Sequence, residues 1–307
     1  MTGPGLAPAG GPGALLVVGD VVTDVVARHR TPLVPATDTA AEIRTLPGGA
    51  GANAACWAAR SGCADVRILA RVGAEALAWH SAELRRAGVR PLLVRDPEAS
   101  TAAVIALVGP DAERTFLTDS GAALRLAPDD WAPALLAGVA RVHLSGYLFF
   151  AAESRETAGR VLRDARAAGV PVSVDPASAG FLKELGAESF LAAVDGAECL
   201  LPNADEARLL TGRTDPADAA VVLSRRFPLV AVTLGAEGAV VATNGLVTAR
   251  VPAPKARPVD STGAGDAFTG AFLAARLAGA DPAAAAASGC RAGALAVSRV
   301  GGRPATP

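Results

Sequence analysis

Short runs of aliphatic residues recur along the chain: ALLVVG at 14–19, VRILARV at 66–72, RVHLS at 141–145, VPVSVD at 170–175, CLLP at 199–202 and LVAVTLG at 229–235. Runs this brief and this uniformly apolar predict strands buried on both faces. Between them lie stretches of helical spacing. From Ser154 to Ala168, residues Ala158, Val161, Leu162, Ala165 and Ala168 share one face, and Gly169 stands where a left-handed residue can end a helix. This alternation predicts a three-layer α/β/α fold, a mostly parallel central sheet with helices on both faces.

Two stretches break the alternation. Residues 20–47 mix apolar and polar positions around Pro32, Pro35 and Pro47 with no helical stripe, and residues 101–118 read as TAAVIALV, a GPDAE turn and RTFLT. Both predict antiparallel strands outside the main sheet, the second a hairpin around Gly109 to Glu113, and together a small β-sheet lid at the strand ends. Residues 1–13, MTGPGLAPAGGPG, have no positive cluster and no apolar segment of signal-peptide length. They are expected to form a flexible tail, leaving 14–307 as one domain. Asp281 and Pro282 read as the N-cap and first residue of a helix that takes in the alanine run to Ala287.

The 307 residues suffice for one large α/β domain or two ordinary ones. With 29 basic and 30 acidic side chains and two lysines, Lys183 and Lys255, the chain has no basic stripe for nucleic acid or anionic lipid. Mean hydropathy is +0.34, yet Asp, Glu or Arg interrupts every apolar stretch before the roughly 20 residues a membrane span needs. The expected location is the cytoplasm. Cys56, Cys63, Cys199 and Cys290 form no CxxC pair, and His29, His80 and His143 no HExxH, which argues against a zinc site or a disulfide framework.

The segment VDSTGAGDAFTGAFLAARLAG, 259–279, carries the most chemistry. From Phe268 onward, Ala271, Phe272, Ala275 and Ala278 recur at helical spacing, so Gly263, Ala264 and Gly265 fall at a helix entrance and Asp266 in its first turn. Unpaired N–H groups beside the positive end of the helix dipole suit an anion, typically phosphate. The plain alternative is a carboxylate that stabilises the helix start and glycines that only turn the chain.

Three further motifs accompany it: PGGAGANAACWAARSG at 47–62, Asn203-Ala204-Asp205-Glu206 after CLLP, and Thr233-Leu234-Gly235 at a strand end. With the DSTGAGD segment from Asp260 to Asp266, these motifs in this order resemble the ribokinase-like, or PfkB-type, carbohydrate kinases from about residue 14 to the last residues. The resemblance implies an ATP-dependent phosphotransferase acting on a hydroxyl of a sugar, sugar acid or nucleoside. It implies Asp266 as general base and the backbone of Gly263, Ala264 and Gly265 as the anion hole for the migrating phosphoryl group. A carboxylate near pKa 4, lowered further by the helix start, is expected to be a weak base. Asn203 and Glu206 would meet the phosphates and Mg2+, the ion held partly through water; Asn-x-x-Glu is equally a capping box. Thr233, Gly235 and Gly238 would contact the nucleotide, with the loop around Asn244 a wall of the adenine pocket.

At the acceptor end the matching pattern implies Asp24, Gly48, Gly49 and Asn53. Carboxylate and amide pair with adjacent hydroxyls, and the glycines let the backbone approach the ligand. Ribokinases carry Lys after the double glycine, where this chain has Ala50, which argues against ribose itself. Arg114 in the lid hairpin could face an acidic sugar. Phe116, Tyr147, Phe149 and Phe150 are the rings that could stack on a nucleoside. Asp260 and AVSRVGGRP, 296–304, match the family's monovalent-cation arrangement, making K+ a candidate activator. A homodimer through the lid would cover its edge strands. Two other readings compete: an NAD-binding oxidoreductase using Gly49, Gly51 and Ala54 as GxGxxA, and a non-catalytic sugar-binding relative. The first lacks a compact βαβ context and an acidic residue about 20 positions on.

Overall fold

The computed structural model describes residues 13–109 and 113–305. The chain opens on β1 (Ala14–Val18), buried throughout, then leaves the main sheet for β2 (Val22–His29) and β3 (Ala41–Gly48) before α1 (Ala50–Arg60). After β4 (Val66–Gly73), α2 (Leu77–Arg86) and β5 (Val89–Asp96) it leaves again, for β6 (Ala102–Val108) and β7 (Arg114–Asp119). There follow β8 (Val139–Ser145), α3 (Ala152–Ala167), β9 (Val172–Asp175), α4 (Ala179–Leu185), α5 (Ala187–Ala193), β10 (Cys199–Leu200), α6 (Ala204–Thr211) and α7 (Pro216–Leu223). The last elements are β11 (Leu229–Thr233), β12 (Ala239–Thr243), β13 (Leu246–Val251), α8 (Ala264–Leu277) and α9 (Pro282–Ala296).

The main sheet has nine strands in the order β13-β12-β11-β10-β9-β8-β1-β4-β5. From β11 to β5 it is parallel, and the β12–β13 hairpin adds antiparallel at one edge. Strand alternation divides the core in two. Leu16, Val18, Val142, Leu144 and Val174 pack with α3 and α5 to α7, whereas Leu15, Val17, Ile68 and Ala231 pack with α1, α2, α8 and α9. This is the three-layer arrangement expected. β5 and the β12–β13 hairpin were not among the expected strands, because charged residues and short turns break their apolar runs.

The lid is a four-stranded sheet in the order β3-β2-β6-β7. It is not wholly antiparallel, as expected, because β2 and β6 pair in parallel. β1 and β5 run in the same direction, so both excursions leave the same edge of the main sheet and their first strands climb away in one sense. Arg114 opens β7. Residues 1–12 of the expected tail and 110–112 of the hairpin turn lie outside the described residues. Among the described residues no helix is long and apolar enough to cross a membrane.

Candidate active site

The carboxyl ends of β1, β8, β9, β10 and β11 lie along one edge of the sheet, where open α/β sheets place ligands, and α8 begins there. Gly263, the residue before α8, has φ 74, and a Cβ on it would lie 2.4 Å from Gly302 Cα. Only glycine fits that turn. Asp260 braces it from below, accepting from Thr262 N at 2.8 Å and from Gly301 N at 3.0 Å. Ala264 N donates to Ser261 O at 3.3 Å, and the first full helical bond runs from Ala267 N to Gly263 O at 2.8 Å. The N–H groups of Gly265 and Asp266 therefore have no helical partner. A Cβ on Gly265 would meet nothing within 4 Å, so this turn opens onto free space.

Two clefts meet at that opening. One, of about 610 Å3, is lined by Thr233, Gly235, Gly238, Ala264, Gly265 and Phe268, with Lys255 and Cys290 among its other walls. The second, of about 550 Å3, shares Thr233, Gly235 and Gly265 and includes Asn203. The residues of the expected nucleotide site thus come together. Asn244 does not join them: it sits in the turn between β12 and β13, and because β12 runs antiparallel to β11 that turn falls at the opposite edge of the sheet. The loop 253–258 and α9 supply the wall in its place.

Asp266 Oδ2 accepts a hydrogen bond of 2.8 Å from Asn53 Nδ2, which joins the first turn of α8 to the buried face of α1. Burial pushes the Asp266 carboxyl up to about 8 against that hydrogen bond, and the charges of Asp175, Asp20 and Asp24 push the same way. This corrects the expectation of a lowered pKa. Desolvation among like charges outweighs the helix dipole, so Asp266 is a stronger base than an ordinary carboxylate.

Asn203 and Glu206 form the capping box at the start of α6. Asn203 Oδ1 accepts from Glu206 N at 2.9 Å, and Glu206 Oε2 accepts from Asn203 N at 2.8 Å. The capping-box role is thus formed, and Glu206 is also buried opposite Asp175 at the end of β9. Burial raises the pKa of both carboxyls, and the Asp175 charge adds to the rise at Glu206. Asp175 also accepts from Ala177 N at 2.8 Å and Thr269 Oγ1 at 3.1 Å. Two carboxyl groups disfavouring each other's charge near the start of α8 suit a hydrated divalent cation, which would relieve the repulsion. Sequence reasoning missed Asp175, although an acid ending a buried strand, SVD before Pro176, was a usable signal.

At the acceptor end, the Asp24 carboxylate lies over the double glycine: a Cβ on Gly48 would be 2.1 Å from Asp24 Oδ2. Gly49 has φ 98, a second position that demands glycine. Asp24 makes no hydrogen bond or ion pair among the described residues. Burial raises its pKa to about 6, with the Arg303 charge opposing. Arg303, also missed in the sequence, donates from Nη2 to Gly48 O at 3.1 Å, while its Nε and Nη1 are buried without partners. Asp20 caps α1 from the end of β1, accepting from Ala50 N at 2.6 Å, Gly51 N at 3.0 Å and Ser145 Oγ at 2.8 Å. Gly51 therefore serves helix capping within a lid-to-helix turn. The strand before it is β3, an antiparallel lid strand and not part of a βαβ unit, which removes the basis of the dinucleotide reading.

A glycine-entered helix at the carboxyl edge of a parallel sheet, with a carboxyl of raised pKa in its first turn and open N–H groups beside it, has the form of a phosphotransferase site. The pfkB family of carbohydrate kinases matches residues 13–307. Ribokinase of Mus musculus is 30% identical over 272 residues, 84% of this chain and 80% of its own. Adenosine kinase from Sinorhizobium meliloti shares the fold with a TM-score of 0.86 at 24% identity over 96% of both chains. A candidate ribokinase II from E. coli, in complex with ATP and Mg2+, does so with a TM-score of 0.84 at 22% identity over 96% of both chains. This chain belongs to the pfkB family of carbohydrate kinases and is a phosphotransferase with an alcohol group as acceptor.

Proposed function

We propose that the protein transfers the terminal phosphoryl group of ATP to a hydroxyl of a sugar or nucleoside, with Asp266 as the base. The Asp266 carboxylate takes the hydroxyl proton as the acceptor oxygen attacks phosphorus and ADP leaves. The open N–H groups of Gly265 and Asp266, with the turn from Gly263, face the charge that gathers on the transferred oxygens. ATP fits the cleft lined by Thr233, Gly235 and Gly238. Mg2+, which Glu206 and Asp175 would hold through water, supplies charge neutralisation on the phosphates. Asp24 and Asn53 orient the acceptor hydroxyls. The observation that carries this reading is the Asn53 to Asp266 hydrogen bond, which brings the acceptor helix onto the phosphate helix.

Two finer points belong to the same reading. Asp260 already ties the phosphate turn to Gly301, and Val297 O accepts from Val259 N at 2.7 Å and Asp260 N at 3.1 Å. K+ bound at that junction would stiffen the anion hole. The chain forms a homodimer through the lid, supported by apolar side chains on one lid face: Ile43 is 65% exposed, Ile105 38% and Leu117 55%. The test of the central reading is a panel of sugars, sugar acids and nucleosides with ATP and Mg2+. ADP release with any member supports it. Tight binding without turnover supports a non-catalytic relative.

A further inference from the structure

Three aromatic side chains cluster beside the carboxylates, on a part of the site that the reading above leaves unused. Tyr147 follows β8 in the turn Gly146–Phe149, and Phe181 lies in α4 just beyond β9. The Tyr147 ring meets Phe150 edge-on at 6.0 Å and Phe181 edge-on at 5.9 Å, and Phe150 stacks on Phe181 at 5.0 Å with 22° between planes. All three are half-buried. Phe149, by contrast, is fully buried against Phe190 and belongs to the core.

The Tyr147 hydroxyl has no hydrogen-bond partner among the described residues and is not enclosed by protein. Tyr147 belongs to the turn at the reacting edge of the sheet: Ser145, two residues before it, donates to Asp20 at 2.8 Å, and Gly146 packs directly against Asp175 O. Burial, then the charges of Asp20, Asp266, Asp175 and Glu206, keep the phenol protonated and a donor. The lid carries a further ring. Asp24 pairs across the sheet with Val104 and Val104 with Thr118, while Val26 pairs with Ala106 and Ala106 with Phe116. Cross-strand partners share a face, so Phe116, 52% exposed, lies on the same lid face as Asp24.

Polar groups and rings are thus segregated. Asp24, Asn53 and Asp266 can serve hydroxyls, whereas Tyr147, Phe150 and Phe181 form one ring cluster after β8 and β9 and Phe116 adds a ring on the lid face of Asp24. An acceptor bearing hydroxyls on every carbon would bury several against these rings without partners, which is costly. One with a diol at one end and a planar ring at the other loses nothing. Resting on the phosphotransferase reading, we infer that the acceptor is a nucleoside, its base held by the Tyr147, Phe150 and Phe181 cluster.

Calorimetric titration of the protein without nucleotide, using adenosine, inosine and uridine against ribose, fructose and gluconate, tests this. The expected result is that at least one nucleoside binds ten or more times more tightly than ribose. Phe181→Ala and Phe150→Ala should each cut the nucleoside-to-ribose affinity ratio roughly 10-fold or more, the size of stacking one base on a ring. Tyr147→Phe, which keeps the ring, should cut it less. Sugars binding as tightly as every nucleoside, or a ratio unchanged in all three variants, would overturn the inference. Adding ATP and Mg2+ separates the two layers. Nucleosides bound but never phosphorylated refute phosphotransfer and leave the aromatic wall standing, whereas phosphorylation of free sugars alone refutes the wall and leaves phosphotransfer standing.

Discussion

Asn53 and Asp266 stand 213 residues apart in the chain and 2.8 Å apart in the fold, amide nitrogen to carboxylate oxygen. That bond is the main force holding the Asp266 pKa down against burial. Below about 8 the carboxyl carries a proton and cannot accept another, so kcat/KM should fall with decreasing pH through that value. Asn53→Leu removes the donor and should move this acidic limb to higher pH. A pH profile of both proteins checks the direction.

The same pKa has a consequence for stability. Asp266 is held near 8 in the folded protein against 3.8 for the free side chain. Between those values the folded state keeps a proton that the unfolded state has released. The stability this contributes is complete below about pH 4 and is lost as pH rises through about 8. Asp266→Asn removes that loss, so its Tm should exceed the wild-type Tm at pH 9 by more than at pH 5. Calorimetric scans at the two pH values measure the difference.

Two glycines of the phosphate turn should respond in opposite ways to the same change. Gly263→Ala places a methyl group on a left-handed residue and 2.4 Å from Gly302 Cα, and should cost about 1–3 kcal/mol or more of stability. Gly265→Ala meets nothing and should leave stability equal or slightly raised by helix propensity. In the proposed mechanism its methyl group projects where the phosphates pass, so turnover should fall at least 10-fold. Urea titration and steady-state rates distinguish the two.

Much of this site was legible because its signals are local. A helix start shows in GAGD and a capping box in Asn203 and Glu206, both within one turn of chain, and the structure forms both. The lid was legible as strands, but the pairing of β2 with β6 depends on how β1 and β5 lie in the main sheet. Arg303 had no signal, since only folding carries the C-terminal segment under Gly48 O. Asp20 was visible at the end of β1, yet its capping of α1 spans an entire lid hairpin. Burial of Asp266 among Asp20, Asp24 and Asp175 is likewise a tertiary fact, which is why a carboxylate with the wrong pKa was expected.

The proposed lid dimer has a direct check. Ile105 and Leu117 are cross-strand partners on the exposed apolar face. Ile105→Arg should convert a wild-type dimer to a monomer in sedimentation equilibrium with little change in Tm of the isolated chain. A monomeric wild type at assay concentrations contradicts the dimer.

The most direct measurement is the rate of ADP formation by Asp266→Asn with the acceptor found in the panel, set beside nucleotide affinity measured by calorimetry. The expected result is a loss of kcat of roughly 10²- to 10⁴-fold, the range for a positioned base, with ATP affinity within about threefold of wild type. Turnover unchanged, or lost only in step with ATP binding, would contradict the assignment of Asp266 as the base.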